Sequence, residues 1–427
     1  MIEDVAGGKR SRLDRLLGGR LWRSADFVKL WLGQFVSEAG SQVSVLALPT
    51  VAILILHATP FQVGLLTSLE FLAFPTLGLI AGVYSDRFRR IRIMAACDLM
   101  RTLIYGSVPL TWALGILNME QLYAVALLAG VCTVFFDVSY QSYLPALVDR
   151  RDLVEGNSKL EVTRSIAQLA GPALAGFLIQ LVGAALSVLV DSASYIASVA
   201  SLLAIRKPEP DPRPSGEVSA GFWHELLEGV QVVFGNSTLW KIAGSTATSN
   251  LGSNMFFAVF LIFAYRHLHL SPATVGLVFA AGAVGGLFGA LTTGAVTSRL
   301  GLGRTLLVTV VSGGAVSLLV PLAQYGFAVP ILAVTSAIAL YMNPVYNINQ
   351  VSLRQSITPD RVQGRMNATM RTIVWGTLPI GAFIGGILGS TIGVVPTLLI
   401  GACTWMLSGF WILAGPVRLR RQPEPAG

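Results

Sequence analysis

Twelve apolar runs, most of them twenty residues or longer, follow one another along this chain with only short loops between them. They lie roughly at 27 to 56, 61 to 84, 92 to 115, 120 to 142, 157 to 182, 184 to 205, 238 to 265, 273 to 297, 304 to 325, 329 to 351, 366 to 391 and 394 to 415, and about 20 apolar residues suffice to cross a bilayer as a helix. Hydrophobic residues make up 53% of the chain and charged ones only 12%, well below the roughly 25% of a soluble domain. Inside lipid every backbone group must be satisfied within its own segment, so the expected fold class is an all-α membrane protein of 12 transmembrane helices. The first and seventh runs look overlong, which predicts tilt or interfacial turns.

Charge sets the orientation. With the amino terminus placed in the cytoplasm, Arg266 is the one member of the 30 Lys and Arg residues left outside, and Arg101, Arg164 and Arg371 fall within spans a few residues from the inner surface. The rest lie on cytoplasmic segments or at span edges. Both termini are therefore expected in the cytoplasm, in a multi-pass protein of a bacterial inner membrane. The net charge of +8 is topological and implies no nucleic-acid partner. Residues 1–26 place Lys9, Arg10, Arg12, Arg15, Arg20 and Arg23 among leucines, a basic amphipathic segment suited to an anionic leaflet. No cleavable signal peptide is evident. Cys97, Cys132 and Cys403 read as apolar packing residues, and the four histidines sit in loops or at span ends, so neither a metal nor a cofactor is expected.

The chain repeats itself. Val63 and Gly64 recur 212 positions later as Val275 and Gly276, and the same offset carries Arg87 onto Arg299 and Arg92 onto Arg304. An offset of 210 carries Asn157, Gly171 and Gly176 onto Asn367, Gly381 and Gly386. Two six-helix halves of like orientation follow, residues 27–205 and 237–415, related by a pseudo-two-fold axis along the membrane normal. A polar, proline-rich linker at 206–236, ending in an amphipathic stretch around Phe222 to Phe234, separates them, and a short tail occupies 416–427.

Gly82, Asp86, Arg87 and Arg90, in the loop between spans two and three, resemble the signature loop of the major facilitator superfamily, although Arg89 and Ile91 depart from its pattern. The resemblance implies that Asp86 sits against the helix of span eleven and closes the cytoplasmic side. Gly171, Pro172 and Gly176 are similar to the core of the motif associated with antiporters; close helix packing and a proline kink would use the same residues. Leu144-Pro145, Asp191 to Tyr195, Gly229 and Gly364 to Asn367 resemble the branch that contains siderophore and macrolide exporters. These likenesses imply transport by alternating access at the interface of the halves.

Six acids interrupt spans of the first half, Glu38, Glu70, Asp98, Asp137, Glu161 and Asp191, and the spans of the second half contain none. An acid at a helix centre costs roughly 2.5 to 3.5 kcal/mol, which is why such groups usually face an interior or a water-filled cavity and handle ions or protons. Gln34, Glu38, Ser41 and Gln42 form one polar stripe along span one. At about 1.5 Å per residue Glu38 and Glu70 both come to roughly the midplane of the bilayer. Glu38, Glu70 and Asp191 are therefore the proton-coupling candidates, with a structural role for each left open. Asp98, Arg101, Asp137, Glu161 and Arg164 share a depth near the inner ends of spans three to five and read as a gate of acid–base pairs, with Arg371 closing across the halves or anchoring at the surface.

The opposite cavity wall is expected from Asn250, Asn254, Tyr341, Asn343, Tyr346 and Asn347, joined by Gln34, Gln42, Phe71 and Trp375. Aromatic bodies with polar tips suit an amphipathic ligand. No phosphate-binding Gly-Lys-Ser/Thr loop and no coherent nucleophile–base set occur, so ATP drive and enzymatic activity are not expected. The expected function is a proton-coupled exporter of amphipathic organic molecules acting as a monomer, with a siderophore or lysophospholipid carrier independent of protons, or a receptor without flux, as alternatives.

Overall fold

The computed structural model describes residues 20–149, 152–209 and 222–416. Most of the amphipathic amino-terminal segment, the proline-rich centre of the linker and the tail lie outside them. In the first half α1 (Ala25–Thr50), α2 (Pro60–Arg87), α3 (Arg90–Ala113), α4 (Met119–Leu147), α5 (Leu153–Val182) and α6 (Ala184–Leu203) cross in turn. The linker supplies α7 (Phe222–Gly235). The second half consists of α8 (Ser237–Ile262), α9 (Pro272–Leu300), α10 (Leu302–Ser317), α11 (Ala328–Ser356), α12 (Asp360–Thr391), α13 (Val394–Leu407) and the short α14 (Gly409–Leu413). Twelve helical segments are long and apolar enough to span a bilayer.

The repeat seen in the sequence is a repeat of local chemistry. Thr59 caps α2 with Pro60 in its first turn, and Ser271 caps α9 with Pro272 in the same place, each side chain accepting from a backbone N–H that the helix leaves free. Gly183 and Gly393, 210 positions apart, turn the chain between adjacent helices at φ +88° and +92°, where a Cβ would be strained. The overlong first and seventh spans are explained as well: α1 runs into a π-helical turn at Val51–Ile55, and α8 into one at Phe263–His267. Within each half the same pairs pack, α1 with α5 and α6, α2 with α4, α3 with α4 and α6, and their counterparts seven helices later.

The two main contacts between halves are α2 with α12 and α5 with α9, with a smaller one between α2 and α8. At both crossings backbone meets backbone through glycine. A methyl group at Gly64 would lie 2.5 Å from the Cα of Gly386, and one at Gly176 would lie 2.5 Å from the carbonyl oxygen of Pro272 and 2.8 Å from the Cα of Gly276. The four glycines are among those that marked the repeat. Two π-turn contacts reinforce them: the Arg266 guanidinium donates to the Ile53 carbonyl at 2.9 Å, and the Tyr265 and Thr50 hydroxyls lie 3.0 Å apart. All of this is at the end of the bundle away from the basic loops, where one apolar cluster, including Ile53, Leu66, Val259 and Phe263, draws on both halves.

At the basic end the cores are separate. Phe27, Met94, Phe136 and Leu144 pack within the first half, while Leu239, Leu306, Leu353 and Met370 pack within the second. The linker is tied to each. Glu209 accepts from the free backbone N–H groups of Arg90 and Ile91 at the start of α3, at 2.8 and 3.2 Å, while Glu228 of α7 pairs with Arg365 of α12, against which Gly229 is closely seated. The molecule is therefore closed at one end and split at the other.

Valine at Gly64 or Gly176 must push these backbones apart, at a cost of about 1–3 kcal/mol. In a chain stripped of native cysteines, a cysteine replacing the fully buried Ala264 should then react faster with a maleimide than it does with either glycine intact. An unchanged alkylation rate would show that the crossings do not hold this end shut.

Candidate functional site

A cavity of about 710 Å³ opens between the bundles, and all but one of its lining residues belong to the first half. Glu38 on α1 and Glu70 on α2 both line it. Their depth follows from helix rise, and their facing follows from packing: α2 is held against α4 where a Cβ at Gly130 would meet the Glu70 carbonyl oxygen at 2.5 Å. Neither carboxylate makes an ion pair within 4.0 Å or a hydrogen bond among the described residues. Gln34 and Phe71 line the same space, as does Trp375, the single contribution of the second half.

Asp191 is placed differently. It is fully buried and is not a lining residue. The Ser41 and Ser194 hydroxyls donate to its Oδ1 at 3.4 and 3.3 Å, and Ser41 also lies 2.9 Å from the Tyr195 hydroxyl. Ser41 and Tyr195 do line the cavity, so Asp191 stands one layer behind its wall. Gln42 also stays out, its stem packed against Gly171. The symmetry-related pair behaves alike: Asn254, 212 positions after Gln42, packs against Gly381.

The expected gate is largely a lining. Among its members one acid–base pair forms, the buried Asp98 with Arg101, whose guanidinium is sandwiched at 4.5 Å from the Phe136 ring centroid and 4.4 Å from that of Tyr195. Asp137, Glu161 and Arg164 line the cavity without an ion pair among the described residues. Arg371 lies instead over the Trp375 ring, 4.9 Å from its centroid. Asp86 differs from the contact that the resemblance implied. Its side chain is 76% exposed, and its ion pair among the described residues is with Arg90, 3.7 Å away, since the halves are apart at this end. Arg87 is exposed and Gly82 faces open space.

The neutral residues expected to form the opposite wall do not line this cavity. Asn250, Asn254, Tyr341, Asn343, Tyr346 and Asn347 are absent from the cavity lining. Asn250 donates to the Val374 carbonyl and Asn254 to that of Asn250, while the hydroxyls of Tyr341 and Tyr346 meet those of Thr292 and Thr246 at 2.7 and 2.8 Å. Asn347 accepts from Gln350, and Asn343 is exposed. In their stead α4 supplies a stripe at helical spacing, Thr133, Asp137, Tyr140 and Gln141. That spacing was as visible in the sequence as the stripe of span one, and assigning Asp137 to a gate by depth alone obscured it.

A family model of the Major Facilitator Superfamily matches residues 30–377. The chain belongs to that superfamily. Its relatives include the enterobactin exporter EntS of Citrobacter koseri, 23% identical over 93% of this chain and 94% of that one. The multidrug efflux pump Tap of Mycobacterium tuberculosis is 25% identical over 85% of this chain and 87% of that protein. Among solved structures, a bacterial homologue of the iron transporter ferroportin in its inward-facing state superposes with a TM-score of 0.73 at 17% identity, covering 93% of this chain and 100% of that one. The outward-facing state reaches 0.57, at 17% identity and over 91% and 98% of the two chains. This member of the superfamily is thus a transporter of the bacterial inner membrane with exporter relatives, and not an enzyme.

Removing the Asp98 carboxylate strands the Arg101 guanidinium between two rings. Asp98→Asn should lose about 3–5 kcal/mol of stability, and Asp98→Leu combined with Arg101→Met should recover much of it. Thermal unfolding in detergent checks the order; a double variant no more stable than the single one would refute it.

Proposed function

We propose that this transporter exports amphipathic organic molecules in exchange for protons, with Glu38 as the proton carrier. The supporting observation is the position of Glu38: an acid near the middle of α1, lining a cavity open at one end, with no guanidinium holding it. In this reading the basic end faces the cytoplasm, as the distribution of Lys and Arg requires. Both termini and the linker then lie on that side, and the two halves rock about the glycine crossings.

The cycle follows from differential occupancy. Opened outward, Glu38 takes up a proton at the higher proton activity. Opened inward, it releases the proton to the cytoplasm, and the bare carboxylate is then available to cargo entering the cavity. Cargo and proton exclude each other because both use the same oxygen atoms, so each return of the empty carboxylate is suppressed by the cost of burying it in a closing site. Glu70, on the facing helix, adds like charge that makes occupancy of the pair more necessary, and Asp191 is within reach through Ser41. A cavity of about 710 Å³ has the volume of ordinary small-molecule sites, roughly 300–1,000 Å³.

A second reading, a siderophore carrier without proton coupling, is favoured by the whole-length likeness to the enterobactin exporter. The two separate in proteoliposomes. Glu38→Gln, which keeps shape and removes the titrating proton, should abolish cargo-driven alkalinisation or acidification while leaving cargo binding measurable. If flux persists undiminished and independent of the pH gradient in both proteins, proton exchange through Glu38 is wrong and the uncoupled carrier is favoured.

A further inference from the structure

Beside the central cavity lies a smaller one of about 280 Å³, formed by α2 and α4 of the first half and α12 of the second. The two share Phe74, Asp137 and Trp375. We infer that the smaller cavity is a second cargo subsite for an aromatic or quaternary organic cation, whose charge is met by Asp137 and whose body lies against Phe74 and Trp375. The inference names the cargo class of the proposed exporter and rests on that reading.

Asp137 is a carboxylate with no hydrogen bond or ion pair among the described residues, and it faces both cavities. An ionised carboxylate only accepts hydrogen bonds, so in a site that narrows on closure it needs N–H or O–H donors, and a cation meets its charge as well. The two rings come one from each half, with centroids 4.8 Å apart and planes tilted by 52°, and form the partition between the cavities. An indole face attracts cations more strongly than the other aromatic side chains do. That face already holds one. Arg371, a lining residue of the smaller cavity, has its guanidinium carbon 4.9 Å from the Trp375 centroid, as a cargo cation would lie. Arg371 is therefore a competitor built into the chain, contesting the indole and the nearby carboxylate. The central cavity selects the same charge: Glu38, Glu70, Asp137 and Glu161 line it, and of its two guanidiniums Arg101 is committed to Asp98, which leaves Arg164. A cation passing from the smaller cavity to the larger keeps Asp137 as its partner throughout.

The test is binding of tetraphenylphosphonium to the full chain in lipid nanodiscs, with tetraphenylborate as the size-matched anion. Phosphonium binds and borate does not. Asp137→Asn weakens binding by about tenfold or more, and Asp137→Glu restores most of it. Arg371→Gln tightens binding several-fold, a sign that a merely structural arginine would not give. With native cysteines replaced, phosphonium protects the Ala368→Cys variant from maleimide, Ala368 lining only the smaller cavity. The inference is overturned if Arg371→Gln weakens binding or leaves it unchanged, or if saturating phosphonium does not slow the alkylation. Phosphonium moved by proteoliposomes without that protection would leave the exporter reading standing and remove this subsite. Absence of flux for every amphipathic compound tried would remove both.

Discussion

Two glycine crossings hold the bundles together at one end, and the chemistry of the site depends on their doing so only there. Lipid chains are as apolar as leucine, so nothing drives transmembrane helices together except close packing and polar contacts. Gly64 against Gly386 and Gly176 against Gly276 supply the closest packing available, backbone on backbone. The Arg266 and Tyr265 contacts add polar closure at the same level. With the cores divided at the basic end, a cavity remains that is lined by the mid-span carboxylates Glu38 and Glu70. Without it Glu38 and Glu70 would each carry the full burden of an acid in hydrocarbon, roughly 2.5 to 3.5 kcal/mol or more.

How much of this was legible in the sequence depends on what each signal encodes. Span number, the repeat and the shared depth of Glu38 and Glu70 are readable because they rest on length, offset and helix rise. The four glycines were readable as repeat marks, yet the offset links Gly64 to its symmetry mate Gly276, whereas its contact partner is Gly386. Symmetry gives equivalence, and contact is a different relation. Depth likewise says nothing about facing, so Asp191, which falls within a span as plainly as Glu38 does, lies one layer behind the wall, and Gln42 packs on Gly171.

The placement of the second half's polar residues has a specific cause. Asn250, Asn254, Tyr341 and Tyr346 are neutral groups that carry both donors and acceptors, and a helix bundle is full of carbonyl oxygens and threonine hydroxyls able to satisfy them. They are accordingly bonded inside their own bundle. Carboxylates have fewer such partners, since the carbonyl oxygens cannot serve them. They accept only, and the free N–H groups of a helix are confined to its first turn, where Glu209 finds them at the start of α3. In mid-span the remaining partners are a guanidinium, a hydroxyl or water. Asp98 takes the first and Asp191 the second, while Glu38, Glu70 and Asp137 are left with the cavity.

The same reasoning explains why the linker need not oppose closure of the basic end. Its anchors are Glu209 on α3 and Glu228 on α12, one on each half and both on the split side. Rocking that brings the halves together there shortens the distance between the anchors, so neither contact has to break. The resistance to closing lies instead with the charges that line the vestibule. Among the described residues that line it, Glu38, Glu70, Asp137 and Glu161 outnumber Arg164, the guanidinium without an ion pair there, and a shrinking cavity raises the cost of that imbalance. A proton or a cationic guest lowers it. By this electrostatic argument closing costs less with the site filled than with it empty.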